Sequence, residues 1–372
     1  MWFILEEDLK NVDPSIEYIQ SGLAQLLYSV SSGKHAIASS PSTAKHLNND
    51  KILPIQKSIL TKIYNQSSEL IAQAQKSKFK IRVTSDFPEG IRSTSTNEWV
   101  ISLRFLADNG VPDSTIIGED LSDIDVFKIC GEQYKAEKKI ATKIHLKGIN
   151  GGGASTPKVY EEEIKQNSSF AFCITDSDKI HPEKNHNTTS EKCKNTCADY
   201  LNIDKKEKGW VTTHEILTSR EIENFIPINI VDDCIHSSRD PIIASNLSAI
   251  KEAITSNPMA WDYIDLKEGT KLGKIIQNKP GFWDQIIIKN TKLGLCNDLC
   301  VKNKECRNKD ECTCQITPGI SKKILDHIIE YLKTHSTHEM TKRASTSQNL
   351  ENWFHIGELI CSWGASFPKT RS

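Results

Sequence analysis

The sequence predicts an α/β fold built on an open parallel sheet, and three observations lead to this prediction. Apolar runs of strand length alternate with helical stretches between residues 99 and 226. The run Phe170–Thr175 is apolar almost throughout, as expected of a central parallel strand covered on both faces. Most of these runs end in acidic or glycine-rich turns. Strands that alternate with helices are typical of a parallel sheet with right-handed crossovers.

The first region, 1–110, is predicted to be mainly helical and to dock a partner or substrate. Ser15–Tyr28 and Ile55–Gln75 carry apolar residues at three- and four-residue spacing, as amphipathic helices do. The polar stretch Ser39–Asp50 between them is predicted to be a loop. Gly33-Lys34 lacks the first glycine of a nucleotide-binding P-loop, so we expect no ATPase in this chain.

The central region, 111–230, is predicted to form the sheet. Its predicted strands are Thr115–Gly118, Ala141–Leu146, Phe170–Thr175 and Trp210–Ile216, and its predicted helices are Leu121–Gln133 and Pro157–Gln166. Proline at the start of the second helix, with acids in its early turns, supports that assignment. Lys179–Lys208 is predicted to be a long polar loop, and loops of this length are usually functional or disordered.

The last region, 231–372, is predicted to be a basic, cysteine-rich α+β segment with a helix at Ile320–Thr334. From Lys267 to Lys309, ten Lys and Arg residues stand against four Asp and Glu residues. A solvated face is the ordinary reason for such a run, but it also suits contacts with a nucleic-acid backbone. Trp283 within the run is interpreted as a core residue rather than a base-stacking one.

Composition restricts the classes of function. The net charge is −1, so contacts with nucleic acid have to be local. Residues 1–8 lack a basic segment, and their apolar run is too short for a signal peptide. No stretch approaches the roughly 20 apolar residues of a membrane span. We therefore expect a cytoplasmic protein without a membrane partner, whose 11 cysteines are thiols or metal ligands rather than disulfides.

Acidic residues follow three of the four predicted strands. They are Glu119 and Asp123 after the first, Asp176 and Asp178 after the third, and Glu221 and Glu223 after the fourth. The second strand leads instead to Gly151, Gly152 and Gly153, and backbone N–H groups in such a turn suit phosphate. Ligands bind at the carboxyl ends of parallel strands. Carboxylates gathered there would repel one another without a cation, and all-oxygen sites suit Mg²⁺ or Mn²⁺.

These motifs together resemble the TOPRIM fold, and most closely its OLD-type nuclease branch. Glu119, the glycine turn, Asp176-Ser177-Asp178 and Arg220-Glu221-Ile222-Glu223-Asn224-Phe225-Ile226 occur in the order of that family, within residues 119–226. The resemblance implies Mg²⁺-dependent hydrolysis of nucleic acid, with DNA favoured over RNA. It implies metal ligation by Glu119, Asp123, Asp176, Asp178 and Glu221. It also implies an anti-phage effector that works with a separate ATPase partner, because OLD proteins carry an ATPase domain that is absent here.

Several assignments stay open at this point. Glu221 is favoured over Glu223 because only one of two residues two apart on a helix would face the rim. Arg220 would either pair with the acids or bind phosphate, and Lys267 is our interpretation of the family's catalytic lysine. The alternatives to a nuclease are a non-catalytic sensor or docking subunit and topoisomerase- or primase-type chemistry. The sequence leaves homo-oligomer formation undecided.

Cysteines form two candidate zinc sets. The first set is Cys296, Cys300, Cys306, Cys312 and Cys314, which lie close together in the sequence. Its spacing differs from the Cys-x₂-Cys pairs of zinc ribbons, so structural Zn²⁺ competes with free thiols. The second set, within the long loop that follows Asp178, is His181, His186, Cys193 and Cys197.

Overall fold

The structure is a computed structural model that describes residues 1–49, 52–201, 211–276, 280–287, 314–347 and 349–370. The chain divides into two units. Unit 1 comprises Met1–Ile174, Lys192–Glu215 and Phe354–Ser372, and unit 2 comprises Thr175–Glu191 and Ile216–Trp353. The units differ from the predicted ranges 1–110, 111–230 and 231–372, because unit 1 joins the N-terminal region to most of the predicted central sheet.

Unit 1 contains a five-stranded sheet within the region predicted to be mainly helical. Its strands are β1 (Trp2–Leu5), β2 (Ala36–Ser39), β3 (Lys80–Thr84), β4 (Ile91–Ser95) and β5 (Glu98–Ser102), in the order β2-β1-β3-β5-β4. The pairs β1/β2, β1/β3 and β3/β5 are parallel, and β4 is antiparallel to β5. The N-terminal region is therefore itself α/β, which corrects the sequence prediction.

The helices of this region are α1 (Glu17–Ser31), α2 (Pro41–Leu47), α3 (Pro54–Asn65), α4 (Ser67–Lys76) and α5 (Leu103–Asn109). The first predicted helix is confirmed as α1, and the second is divided between α3 and α4. The loop predicted at Ser39–Asp50 is wrong, since α2 occupies most of it. Ser40 caps α2 by accepting a hydrogen bond on Oγ from Thr43 N–H at 3.3 Å, and Pro41 opens the helix.

A second sheet of unit 1 includes most of the strands that the sequence predicted. It consists of β6 (Asp113–Gly118), β8 (Lys147–Asn150), β9 (Ser169–Thr175) and β10 (Thr212–Ile216), in the order β10-β9-β6-β8. Strand β6 runs parallel to both β8 and β9, so the expected parallel core is confirmed. The helices are α6 (Leu121–Glu137), α7 (Thr156–Gln166) and α8 (Thr188–Leu201).

Two predictions about this sheet are wrong. The strand predicted at Ala141–Leu146 lies instead at Lys147–Asn150, while β7 (Lys143–Ile144) pairs antiparallel with β13 (Ala365–Ser366) outside the sheet. The predicted loop Lys179–Lys208 contains helix α8. Residues 202–210, including Trp210 at the start of the fourth predicted strand, lie outside the described residues.

Aromatic side chains fill the space between the two sheets of unit 1. The ring centroid of Trp363 lies 5.0 Å from that of Phe79, 5.5 Å from that of Phe172 and 5.8 Å from that of Trp99. The Trp363 indole N–H donates a hydrogen bond to Thr115 O at 3.1 Å. The polar atom of this buried ring is thus satisfied, and strands from both sheets are joined through one core.

Unit 2 is mostly helical. Its helices are α9 (Ile222–Phe225), α10 (Ile228–Ser238), α11 (Pro241–Ala253), α12 (Leu272–Ile276), α13 (Ile324–Thr334), α14 (Thr337–Ala344) and the beginning of α15 (Leu350–Trp363). Two short strands, β11 (Gly269–Lys271) and β12 (Gln315–Pro318), pair antiparallel. Short 3₁₀ helices in unit 2 are Ile254–Ser256, Pro258–Tyr263 and Pro280–Phe282, and those in unit 1 are Glu7–Asn11 and Gly153–Ser155. Trp283 is fully buried and donates to Ile180 O at 2.9 Å, which confirms its interpretation as a core residue.

Among the helices that the structure describes, none combines the length and the apolar character that crossing a bilayer requires.

Candidate metal and phosphate site

Unit 2 gathers three acids and two bases that we call the acid–lysine cluster: Arg220, Glu221, Glu223, Asp265 and Lys267. Lys267 Nζ lies 3.2 Å from Glu221 Oε2 and 2.9 Å from Glu223 Oε1. Arg220 Nε lies 3.1 Å from Glu221 Oε1, and its Nη2 lies 3.0 Å from Asp265 Oδ2. The cluster thus joins residues that are more than forty positions apart in the chain.

Both glutamates reach the same lysine, although the sequence analysis expected only one to face the site. The reason is local. Glu221 is the residue before helix α9 and has an extended backbone, with φ −136° and ψ 166°, whereas Glu223 lies inside the helix. The two side chains therefore do not follow helical spacing, and both of them contact Lys267.

Glu223 is a fully buried carboxylate. Burial raises its pKa, and Lys267 acts in the opposite direction. Within the described part of the chain neither oxygen of Glu223 accepts a hydrogen bond of good geometry, so the lysine provides charge compensation by proximity alone. For Lys267, burial lowers the pKa, but the two carboxylates more than offset this effect and leave the pKa raised. Such perturbed, buried ionisable groups are common at functional sites.

A tight turn presents Lys267 to the glutamates. Asp265 Oδ1 accepts a hydrogen bond from Glu268 N–H at 2.8 Å, and Asp265 O accepts one from Gly269 N–H at 3.0 Å. Gly269 has a φ of +86°, and a Cβ at this position would lie 2.7 Å from Thr317 O. The turn therefore requires glycine at this position.

The segment Asp176-Ser177-Asp178 is hydrogen-bonded to the residues that precede the cluster. Asp178 N–H donates to Arg220 O at 2.9 Å, Ser177 Oγ donates to Ser219 O at 2.7 Å, and Leu217 N–H donates to Thr175 O at 2.9 Å. Asp178 has a left-handed backbone with φ 51°, and its Oδ2 accepts a hydrogen bond from the side-chain amide of Asn187. Unit 2 therefore holds both aspartates close in the fold to Arg220.

In unit 1, the glycine turn supports the backbone at Glu119. Gly151 N–H donates to Gly118 O at 2.8 Å, while Gly152 N–H and Gly153 N–H donate to Glu119 O at 3.0 and 3.1 Å. The sequence analysis expected these N–H groups to suit phosphate. In the structure they bind the end of β6 instead, so the turn fixes the position of Glu119.

Asp123 has a capping role. Its Oδ2 accepts a hydrogen bond from Asp120 N–H at 2.8 Å, and Asp120 Oδ1 in turn accepts one from Leu121 N–H at 2.5 Å. Asp120 and Asp123 together form a capping box at the start of α6. At least one carboxylate oxygen of Asp123 is therefore engaged at the N-terminus of the helix, which weakens its assignment as a metal ligand.

Two of the predicted site acids follow strand ends. Glu119 in unit 1 comes directly after the carboxyl end of β6, a position at which α/β proteins bind ligands. Asp176 comes directly after β9 and belongs to unit 2.

A separate thiol–imidazole group lies in unit 1. The ligand atoms of Cys173, Cys193 and His214 are all within 4.8 Å of one another. Sequence reasoning had placed Cys193 with Cys197, His181 and His186, and it missed Cys173 and His214. Those two residues belong to separate strands, and no spacing pattern connects them. Of the first predicted zinc set, Cys296, Cys300, Cys306 and Cys312 lie outside the described residues, and Cys314 is buried.

Comparisons with known proteins gave no match: none was found among protein-family models, among curated proteins or among solved structures. The class of protein that the structure defines is a mixed α/β protein with a parallel sheet core. The resemblance to TOPRIM nucleases continues to depend on the motifs themselves.

Proposed function

We propose that this chain is a metal-dependent nuclease that hydrolyses the phosphodiester bonds of nucleic acid, with DNA favoured as the substrate. The observation that supports this proposal best is the arrangement of acids in unit 2. The segment 176–178 is hydrogen-bonded to residues 217–220, and the next residues bring Glu221 and Glu223 to Lys267. Several carboxylates gathered in one part of the fold are typical of sites that bind a divalent ion.

The donor set fits Mg²⁺ or Mn²⁺. It consists of carboxylate oxygens, and the described residues donate no well-formed hydrogen bond to the buried oxygens of Glu223. Within unit 2 we assign Asp176, Asp178 and Glu221 as metal ligands. Glu119 and Asp123 of unit 1, which the motifs also imply as ligands, stay predictions from the sequence. When bound, the metal would neutralise charge on the scissile phosphate and acidify a water molecule.

The residues of the cluster have separate roles in this proposal. Lys267 offsets the negative charge of Glu221 and Glu223. The repulsion between these two neighbouring carboxylates is therefore weaker near neutral pH. Glu223, whose burial raises its pKa, is suited to accept a proton from an attacking water. Arg220 is held by Glu221 and Asp265, which favours the ion-pair interpretation of this arginine over a phosphate contact.

A separate ATPase remains our proposed partner, in an anti-phage defence setting and in the cytoplasm. The Gly33-Lys34 pair, which lacks the first glycine of a P-loop, has a structural role. Lys34 Nζ lies 2.8 Å from Asp113 Oδ1, and Gly33 turns the chain with a φ of +80°. The lysine is thus engaged in an ion pair at the start of β6.

The test is a cleavage assay on the purified full chain. Supercoiled plasmid, linear duplex, single-stranded DNA and single-stranded RNA are each incubated with Mg²⁺, with Mn²⁺ and with chelator, in the presence and absence of the ATPase encoded beside the gene. We expect metal-dependent cleavage that falls at least about a hundredfold in Asp176→Ala, the size of effect typical of removing a group that stabilises the transition state. Asp326→Asn, an exposed acid on α13, is the matched control and should retain full activity.

Metal binding separates an inactive enzyme from a missing activator. Isothermal titration with Mn²⁺ should show binding to the wild type that is lost in Asp176→Ala and retained in Asp326→Asn. If the wild type binds no divalent ion and leaves all four substrates intact, the nuclease proposal fails and the non-catalytic docking role replaces it. Cleavage that persists in Asp176→Ala would also contradict the proposal.

A further inference from the structure

Three side chains from three elements of unit 1 meet at one point. Cys173 lies on β9, Cys193 on α8 and His214 on β10, and their ligand atoms are within 4.8 Å of one another. Both cysteines are fully buried. The ligands of a tetrahedral zinc ion, at Zn–S distances of about 2.3 Å, are separated by roughly 3.8 Å. The observed group would therefore need to contract by only a small amount to bind the ion.

A fourth ligand is available on the same helix. Cys197 follows Cys193 by four residues on α8, and residues with this spacing share one face of a helix. Burial raises the pKa of the Cys197 thiol to about 11, and contacts with the Tyr160 hydroxyl and the backbone of His214 act in the opposite direction. The Cys197 sulfur is not among the atoms that lie within 4.8 Å of one another, so its side chain would have to move toward the group to complete the ligand set.

The surroundings of the group hold the imidazole in place. The Tyr160 ring centroid lies 6.4 Å from that of His214. The Tyr160 hydroxyl is 2.6 Å from Thr212 Oγ1 and 2.8 Å from Thr213 O. These contacts fix the strand immediately before His214. Hydrogen bonds around the residues that carry metal ligands are a usual feature of metal sites, because they orient the ligands.

We propose that Cys173, Cys193 and His214 bind a structural Zn²⁺ ion, with Cys197 as the fourth ligand. Thiolate and imidazole donors select zinc rather than Mg²⁺, so this ion differs from the one proposed at the carboxylates. Binding would release the thiol protons and would join α8 and β10 to β9. The proposal does not depend on nuclease activity, since all of its measurements concern metal content and stability.

The ordinary alternative is a group of buried thiols that pack as small apolar side chains. Apolar packing explains why each cysteine is buried. It does not explain why an imidazole lies beside two thiols from different secondary-structure elements. A disulfide between Cys173 and Cys193 is the other alternative, and the test below separates all three states.

The experiment uses the full chain, expressed in zinc-supplemented medium and purified through a tag without histidine. A background variant in which Cys296, Cys300, Cys306 and Cys312 are changed to serine removes metal binding by the other cysteine set. We expect one zinc ion per chain in this background by elemental analysis. We expect about a tenth or less when Cys193→Ser and His214→Gln are added. Cys234→Ser, a buried cysteine on α10 of unit 2, is the matched control and should retain the zinc.

A second measurement remains informative if the double variant fails to fold. Cobalt-substituted background protein should show the visible absorption of a tetrahedral ion with thiolate charge-transfer bands. Cys193→His, which keeps a ligand atom, should retain the visible bands and lose part of the charge-transfer intensity. A folded background protein that contains no zinc and takes up no cobalt would overturn the proposal. So would a Cys173–Cys193 disulfide found by mass mapping under non-reducing conditions, or zinc retained in the double variant.

Discussion

Asp262 in unit 2 allows a quantitative test of how the structure treats a partly buried acid. It lies in the 3₁₀ helix Pro258–Tyr263, and its backbone carbonyl accepts a hydrogen bond from Arg220 N–H at 2.7 Å. Burial raises the pKa of its carboxyl from 3.8 to about 6. Because the folded-state pKa is raised, the ionised carboxylate destabilises the folded protein. This destabilisation is absent below pH 3.8, develops as the pH rises, and is complete above about pH 6.

The expected magnitude follows from this shift. A difference of about two pH units corresponds to about 3 kcal/mol, at roughly 1.4 kcal/mol per unit. Asp262→Asn keeps the shape of the side chain and removes the charge, but a buried amide also loses some hydration. We therefore expect the substitution to raise the free energy of unfolding by about 1–3 kcal/mol at pH 7.5 and to change it little at pH 4.

The assay is urea unfolding followed by tryptophan fluorescence, with wild type and variant compared at pH 4, 5, 6 and 7.5. Asp326→Asn, which removes an exposed acid on α13, is the control and should shift the unfolding midpoint little at any of these pH values. The reasoning is refuted if Asp262→Asn gives the same change in stability at pH 4 and pH 7.5. It is also refuted if the variant is less stable than wild type at pH 7.5, since the charge would then be favourable in the folded state.

Two further predictions concern the acid–lysine cluster and the glycine turn. Lys267→Met leaves Glu223 buried without its cation, so the free energy of unfolding should fall by about 1–3 kcal/mol at pH 8, less than for a fully buried pair because Lys267 is partly exposed. This loss of stability should be smaller at pH 5, where Glu223 is protonated. The control is Lys322→Met, whose ion pair is exposed and whose thermal unfolding should change little. Equal losses for Lys267→Met at the two pH values would contradict this account. Gly151→Ala would place a Cβ 2.3 Å from a threonine oxygen and should destabilise by several kcal/mol, of the order seen for overpacked sites. Gly153→Ala has open space around it and a φ of +58°, so it should cost only about 1–2 kcal/mol, and a larger loss in Gly153→Ala than in Gly151→Ala would refute the steric argument.

The parts of the fold that were predicted correctly are those in which local pattern and tertiary environment agree. Strand β9 is apolar along its length and is buried on both faces, so composition alone identifies it. Strand β8 shows the opposite case. Its residues, Lys147–Asn150, are mostly polar and partly exposed at the edge of the sheet, while the preceding residues, Ala141–Leu146, are more apolar. Pairing with β6 decides the register there, and a short sequence window does not contain that information.

The N-terminal sheet was missed for a related reason. Strands β1 and β2 are four residues each, too short for alternation to be distinguished from a few apolar residues beside a helix. Their parallel pairing requires a crossover helix, and α1 was predicted correctly. What the sequence did not indicate is that the segments on either side of this helix pair with each other. Short parallel strands gain most of their stability from neighbours that are distant in sequence.

The candidate site combines local features of the sequence with contacts between distant residues. The positions of Asp176 and Asp178 directly after a buried strand can be predicted from the local sequence alone. The contact of Lys267 with both Glu221 and Glu223 depends on a turn some forty residues away and on an extended backbone at Glu221. Helical spacing predicts the wrong answer there, since the chain enters α9 between the two glutamates.

Strand β9 brings two kinds of donor within a few residues of each other in the chain. Cys173 belongs to the thiol–imidazole group of unit 1, whereas Asp176 begins the carboxylate segment of unit 2. Soft and hard donors select different metals, so the two sets should not compete for one ion. Zinc content and Mn²⁺ binding, measured separately on the same protein, therefore distinguish the two proposals, because the loss of one ion should leave the other bound.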